Sequence, residues 1–157
     1  MRDESHVEAR LAALGLTVPQ VTIPLAAYIP AVRTGNLVYT SGQLPMIDGA
    51  LAATGKVGGA VSAEEAAELA KICALNAIAA VRSLIGDLDK VVRVVKVVGF
   101  VASAPDFTGH PAVVNGASNL LKEAFGDAGV HARSAVGVAA LPLDAPVEVE
   151  MIVEVAD

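Results

Sequence analysis

Two stretches near the C-terminal end hold the side chains best suited to chemistry: His131 to Pro142, which contains Arg133, and Val147 to Val155, which contains Glu148 and Glu150. A guanidinium can grip a carboxylate through two parallel charge-assisted hydrogen bonds, and a carboxylate can hold and activate water. Both stretches alternate with period two, and a connector bounded by Pro142 and Pro146 separates them. That pattern predicts two strands of one sheet, paired antiparallel. Alternation puts Val136, Val138 and Ala140 on one face of the first strand and Arg133, Ala135, Gly137 and Ala139 on the other. An arginine then stands beside a floor of small residues. In the second strand Val147, Val149, Met151, Val153 and Val155 form the apolar face, with Glu148, Glu150, Ile152 and Glu154 opposite. Arg133 and Glu148 are therefore expected to share the face turned away from the helices. A simply solvated face of an antiparallel sheet has the same pattern.

The elements that must carry these strands follow from caps and periodicity. Ser5 with Glu8 is a capping-box pattern, and Val7, Leu11 and Leu14 follow at helical spacing, which predicts a short amphipathic helix over residues 5–14. Pro19 and Pro24 mark the next segment, Leu16 to Pro24, as an extended linker. Thr34-Gly35-Asn36 lies between two β-rich runs and predicts a hairpin over residues 28–41, with Pro30 confining its first strand to a sheet edge. Gly42, Gly49, Gly55, Gly58 and Gly59 mark residues 42–61 as loop. Within it, Gly55-Lys56-Val57-Gly58-Gly59 lacks the Gly-Lys-Ser/Thr ending of a phosphate loop.

Ser62 and Glu65 form a second capping box ahead of the longest apolar stripe, which predicts a helix over 63–85 ended by Gly86. Its Cys73 sits among apolar neighbours and reads as an inert buried thiol. A Val-rich strand is expected from Val91 to Ala104. His110-Pro111 then opens a second long helix that ends at Gly126, with His110 as a helix-start residue. His131 reads as a loop histidine near the mouth of any cleft around Arg133. Beyond the first helix the order is ββαβαββ. Two helices cover only one face of such a sheet, so the other face needs cover from self-association.

Composition narrows the function classes. The 157 residues fit one domain (1–157), and 54% apolar with 3% aromatic residues and no Trp implies an aliphatic, Ala-rich core. The net charge of −6, with no run of Lys or Arg, argues against a nucleic-acid surface. A single cysteine excludes an intramolecular disulfide and a cysteine-based metal cluster, and suits a reducing cytoplasm. The polar stretch Met1 to His6 lacks the apolar core of a signal peptide, and no apolar run of about 20 residues is present to span a membrane. Mean hydropathy of +0.59 is high for a domain of this size and points to buried subunit contacts.

Two motifs at opposite ends of the chain carry a family resemblance: Gly35-Asn36-Leu37-Val38-Tyr39-Thr40-Ser41-Gly42-Gln43-Leu44-Pro45, and Ala132-Arg133-Ser134 through Leu141-Pro142 to Val147-Glu148-Val149-Glu150. From Tyr28 to Val155 the chain resembles the RidA/YjgF family of reactive-intermediate deaminases, in older naming endoribonuclease L-PSP or translation inhibitors. The resemblance implies an α+β, chorismate-mutase-like fold. It implies a homotrimer with the sheets inside, ligand clefts between subunits, and no metal or organic cofactor. It also implies hydrolysis of enamines and imines such as 2-aminoacrylate to a 2-keto acid and ammonia.

Carried over position by position, Arg133 matches the arginine that holds the substrate carboxylate, and Glu148 matches the acidic residue near the site that positions or activates water. Tyr28 matches the tyrosine near the pocket, Ser41 and the Gly42 backbone match the segment lining it, and small Ala135 leaves room beside Arg133. The chain departs from the family pattern at Ile29-Pro30, at Ala135 where cysteine is frequent, and over Asn115 to Leu121, which marks a divergent branch. Two functions compete: an imine or enamine deaminase acting on small carboxylates, and a non-catalytic trimeric binder of small carboxylates. A ribonuclease fits poorly, because His6, His110 and His131 are scattered and the chain is acidic.

Overall fold

In the computed structural model, which describes residues 5–21 and 23–157, the first helix is α1 (His6–Ala13). Met1 to Glu4 of the leader reading, and Thr22 of the linker, lie outside the described residues. Ser5 caps α1 by accepting from Glu8 N at 3.0 Å. The Asp89 carboxylate accepts from the His6 and Val7 amides at 2.8 and 3.1 Å, an anion where the helix dipole favours one. Arg82 pairs with Glu8 and fastens α1 to the next helix.

The hairpin forms as β1 (Ala31–Thr34) and β2 (Leu37–Thr40). The glycine-rich segment is less irregular than expected, because it contains a small hairpin of β3 (Met46–Ile47) and β4 (Ala50–Leu51). Asp48 and Gly49 make its turn, at φ of 50° and 83°. That dipeptide is the residue pair such turns prefer. α2 (Ala63–Ile85) has the bounds its caps predict, with Ser62 accepting from Glu65 N at 3.1 Å. β5 (Val91–Ala102), α3 (His110–Phe125), β6 (Ala132–Val138) and β7 (Val147–Val155) complete the order.

The main sheet has five strands in the order β1-β2-β7-β5-β6. The expected pairing of the last two strands is corrected here: β5 lies between β6 and β7, parallel to β6 and antiparallel to β7. The reason is the α3 crossover, which returns the chain beside β5 in the same direction. The proline-bounded connector then crosses the end of β5. The strands run in opposite senses as expected, but they do not touch.

α2 and α3 cover one face of this sheet. Val38, Val94, Val97, Val101, Val147, Val149 and Val153 lie beneath them with no exposed surface, each contributing about 1.5–3 kcal/mol by burial. Two close approaches bring the layers together. Gly99 lets β5 meet Val114 of α3, and Gly116 lets α3 meet the Ala67 backbone of α2. Among the described residues no element covers the opposite face. Val32, Tyr39 and Val136 remain 50%, 42% and 43% exposed on it.

Candidate functional site

β2 leaves the sheet through an irregularity that builds a pocket. Tyr39 pairs with Ile152, yet Gln43 pairs with Val149, so four steps on one strand match three on the other. This is a β-bulge, a device that redirects side chains. Thr40 Oγ1 fills the gap by accepting from Met151 N at 3.0 Å. Ser41 then holds the incoming linker, donating from its amide to the Pro30 carbonyl at 2.8 Å and from Oγ to the Ile29 carbonyl at 2.6 Å. Its hydroxyl proton is thereby used, and its lone pairs are left to accept from a ligand.

The linker folds over this point to close a pocket of about 180 Å³, with Tyr28, Pro30, Ser41 and Gly42 on one side and Val21, Met46 and Asn76 on the other. Asn76 spends both amide hydrogens on the Leu44 and Met46 carbonyls, at 3.0 and 3.1 Å, so its Oδ1 remains as an acceptor. The sequence reading missed Asn76. Its signal was a lone amide inside the Ala-rich α2, where asparagine is disfavoured unless it bonds elsewhere.

Glu148 sits against Gly42. A Cβ at position 42 would lie 2.8 Å from the Glu148 carboxyl carbon, so any larger residue there would force the carboxylate to shift. Burial, and then the neighbouring Glu150 charge, push the Glu148 carboxyl above its ordinary value. A carboxylate that holds its proton more tightly is better suited to exchange it with water near neutrality. Cys73 lies wholly buried in α2 beside the Val147 carbonyl. Burial and then the Glu148 charge raise its thiol far out of the reactive range.

Tyr28, Ser41 and Gly42 thus line one pocket; Glu148 lies against Gly42 without lining it, and Arg133 and Ala135 stand elsewhere. The expectation that Arg133 and Glu148 share a face is overturned by the register. Arg133 pairs with Val97, and Val97 with Met151, on the helix-covered face; Glu148 pairs with Phe100 on the open face. The small-residue run Ala135-Gly137 is small because α3 lies over it, with His110 against Gly137, and Ala135 packs against the core. Val136, expected inside, is the exposed partner.

Arg133 is engaged by α3 instead. Its Nη1 donates to Asn115 Oδ1 at 2.7 Å and to Ser118 Oγ at 3.2 Å. His131, read as a plain loop residue, belongs to the same network, with Nε2 at 2.9 Å from Ser118 Oγ and Nδ1 at 2.6 Å from the Gly129 carbonyl. Asn115 and Ser118 lie in the segment where the sequence departs from the family pattern. His110 starts α3 as expected and also touches Ser103 Oγ at 2.9 Å. That serine donates to the Val101 carbonyl at 2.9 Å, so its hydroxyl is not activated by the histidine. Among the described residues no three His, Cys, Asp or Glu side chains converge to hold a metal ion, and no helix is long and apolar enough to cross a membrane.

Residues 8–155 match the family described as "YjgF/chorismate_mutase-like, putative endoribonuclease". Protein TCP17 of Trypanosoma cruzi is 43% identical over 150 residues, covering 95% of this chain and 94% of that protein. A crystal structure of a protein of unknown function from Agrobacterium tumefaciens is 48% identical, covers 96% of this chain and 93% of its own, and superposes with a TM-score of 0.91. A "putative endoribonuclease" from Shewanella oneidensis is 32% identical, with 95% and 99% covered and a TM-score of 0.92.

Proposed function

The chain belongs to the YjgF/chorismate-mutase-like family, and from that premise we propose that it hydrolyses small enamine or imine carboxylates to 2-keto acids and ammonia. Family membership supports either a small-molecule deaminase or an endoribonuclease-like role. The acidic chain, at −6 with no run of Lys or Arg, favours the first, because an RNA surface needs clustered positive charge. The observation that carries the reading is Glu148, a carboxylate whose proton affinity is raised by burial and which lies against Gly42, itself a lining residue of the pocket of Tyr28 and Ser41.

In the proposed reaction an enamine first takes a proton at carbon to become the protonated imine, an iminium. Water adds to the imine carbon as Glu148 accepts one of its protons. The resulting carbinolamine receives a proton on nitrogen, its C–N bond breaks, ammonia leaves, and loss of the hydroxyl proton gives the 2-keto acid. Arg133 holds the substrate carboxylate. Within one protomer it stands on the wrong face to do so, so the reading requires a homotrimer in which Arg133 of one subunit meets Glu148 of the next. The uncovered face, where Val32, Tyr39 and Val136 are exposed, and the edge position of β6 support such an assembly.

The test is release of ammonia and keto acid from imines generated in situ by an amino-acid oxidase. Acceleration by wild type, lost in Arg133→Ala, is the expected result. No acceleration with any imine, from a folded protein that still binds keto acids, would replace the deaminase with a carboxylate-binding protein using the same residues.

A further inference from the structure

Arg133 is held by one nitrogen. Both Nη1 hydrogens are engaged, one by Asn115 Oδ1 and one by Ser118 Oγ. The direction of the remaining bonds follows from chemistry. The Gly129 carbonyl only accepts, so His131 Nδ1 carries a proton, and in the neutral ring Nε2 is then an acceptor. With the ring neutral, the Ser118 hydroxyl donates to Nε2 and turns a lone pair toward Arg133. Every donor in the chain from Arg133 through Ser118 and His131 to Gly129 meets an acceptor.

A guanidinium has two edges that can bind a carboxylate with two hydrogen bonds: the end, Nη1 with Nη2, and the side, Nε with Nη2. With Nη1 spent, the end edge is closed. The described residues take no hydrogen bond from Nε or Nη2, so the side edge is open. Arg133 itself lines a shallow cavity with Ser118, Lys122 and His131 at the edge strand β6. A free surface arginine would lose rotamer freedom on gripping a ligand, and a tethered one has little left to lose.

We propose that Asn115, Ser118 and His131 are positioning residues that fix Arg133 so that only its Nε/Nη2 edge receives the substrate carboxylate, with His131 acting through Ser118. The inference rests on Arg133 being the carboxylate anchor.

The probes are pyruvate and its uncharged amide, pyruvamide, titrated into the assembled protein and followed by NMR. Asn115→Ala and Ser118→Ala are expected to weaken pyruvate binding about tenfold, the worth of one hydrogen bond to a charged group, and to leave pyruvamide unchanged. In turnover the same variants raise KM with kcat nearly kept. Ser118→Thr retains the hydroxyl and restores binding. The effect of His131→Ala disappears in a Ser118→Ala background, because the two act in series.

Pyruvate binding that survives in Asn115→Ala and Ser118→Ala, but is lost in Arg133→Ala or Arg133→Lys, overturns the positioning role and leaves the anchor standing. Equal loss of both probes in the α3 variants also overturns it, as general damage. A wild type without preference for pyruvate, or an Arg133→Ala protein that binds it as wild type does, overturns the anchor itself, and an Arg133→Lys protein that binds it as wild type does overturns the two-bond edge.

Discussion

At the scale of single residues, the pair Gly42 and Glu148 defines what the site can do. Glu148 retains its proton above the ordinary carboxylate range because it is partly buried and faces Glu150. The acid limb of kcat/KM is therefore expected above that range, and Glu148→Gln removes the limb together with most of the rate, as a pH–rate profile would show. Stability follows with the opposite preference. Glu148 binds its proton more tightly folded than unfolded, so its contribution to folding is full below the unfolded value and is lost as pH rises through the folded one. The denaturant midpoint of Glu148→Gln should match wild type near about pH 4 and exceed it near about pH 7, a penalty the site retains for function. Gly42→Ala tests the contact directly. A methyl group 2.8 Å from the carboxyl carbon must displace Glu148, so turnover should fall at least about tenfold with the circular dichroism spectrum unchanged.

At the scale of elements, the site depends on how closely helices and strands approach. Gly116 places α3 directly on the Ala67 carbonyl of α2, and α3 in turn carries Asn115 and Ser118 to Arg133. Gly116→Ala pushes backbone against backbone and should cost about 1–3 kcal/mol in denaturation experiments. Ser62→Ala, which removes the N-cap of α2, should cost about 1 kcal/mol and leave the site intact. The bulge after β2 is the other element that matters. Without its extra residue, Ser41 could not turn to bind the linker, and Gly42 would not meet Glu148.

At the scale of the whole molecule, Arg133 and Glu148 stand on opposite faces of one sheet with β5 between their strands. The proposed sharing of sites between copies makes a sharp prediction. Arg133→Ala and Glu148→Gln, each inactive alone, should regain activity when coexpressed, because mixed assemblies contain an interface with both wild-type residues. Val136→Asp places a charge in the exposed apolar face beside Phe100. If the proposed trimer forms through this face, sedimentation should show smaller species for the variant than for wild type, with activity lost.

Local signals determined much of this protein. Ser5, Ser62 and Gly86 set helix ends, and strict alternation in Val147 to Val155 set β7, because caps and side-chain periodicity act over a few residues. Tyr28, Ser41, Gly42 and Glu148 were expected as site residues through the family motifs; the structure puts the first three around one pocket and Glu148 against Gly42. The sequence could not say which strand β6 pairs with, because the partner is chosen by the path of a crossover helix rather than by the strand itself. That choice turned Arg133 toward α3, made Ala135 and Gly137 a bed for the helix, and put Asn115, Ser118 and His131 around the guanidinium. Alternation separates two faces of a strand; only packing decides which one the helices cover.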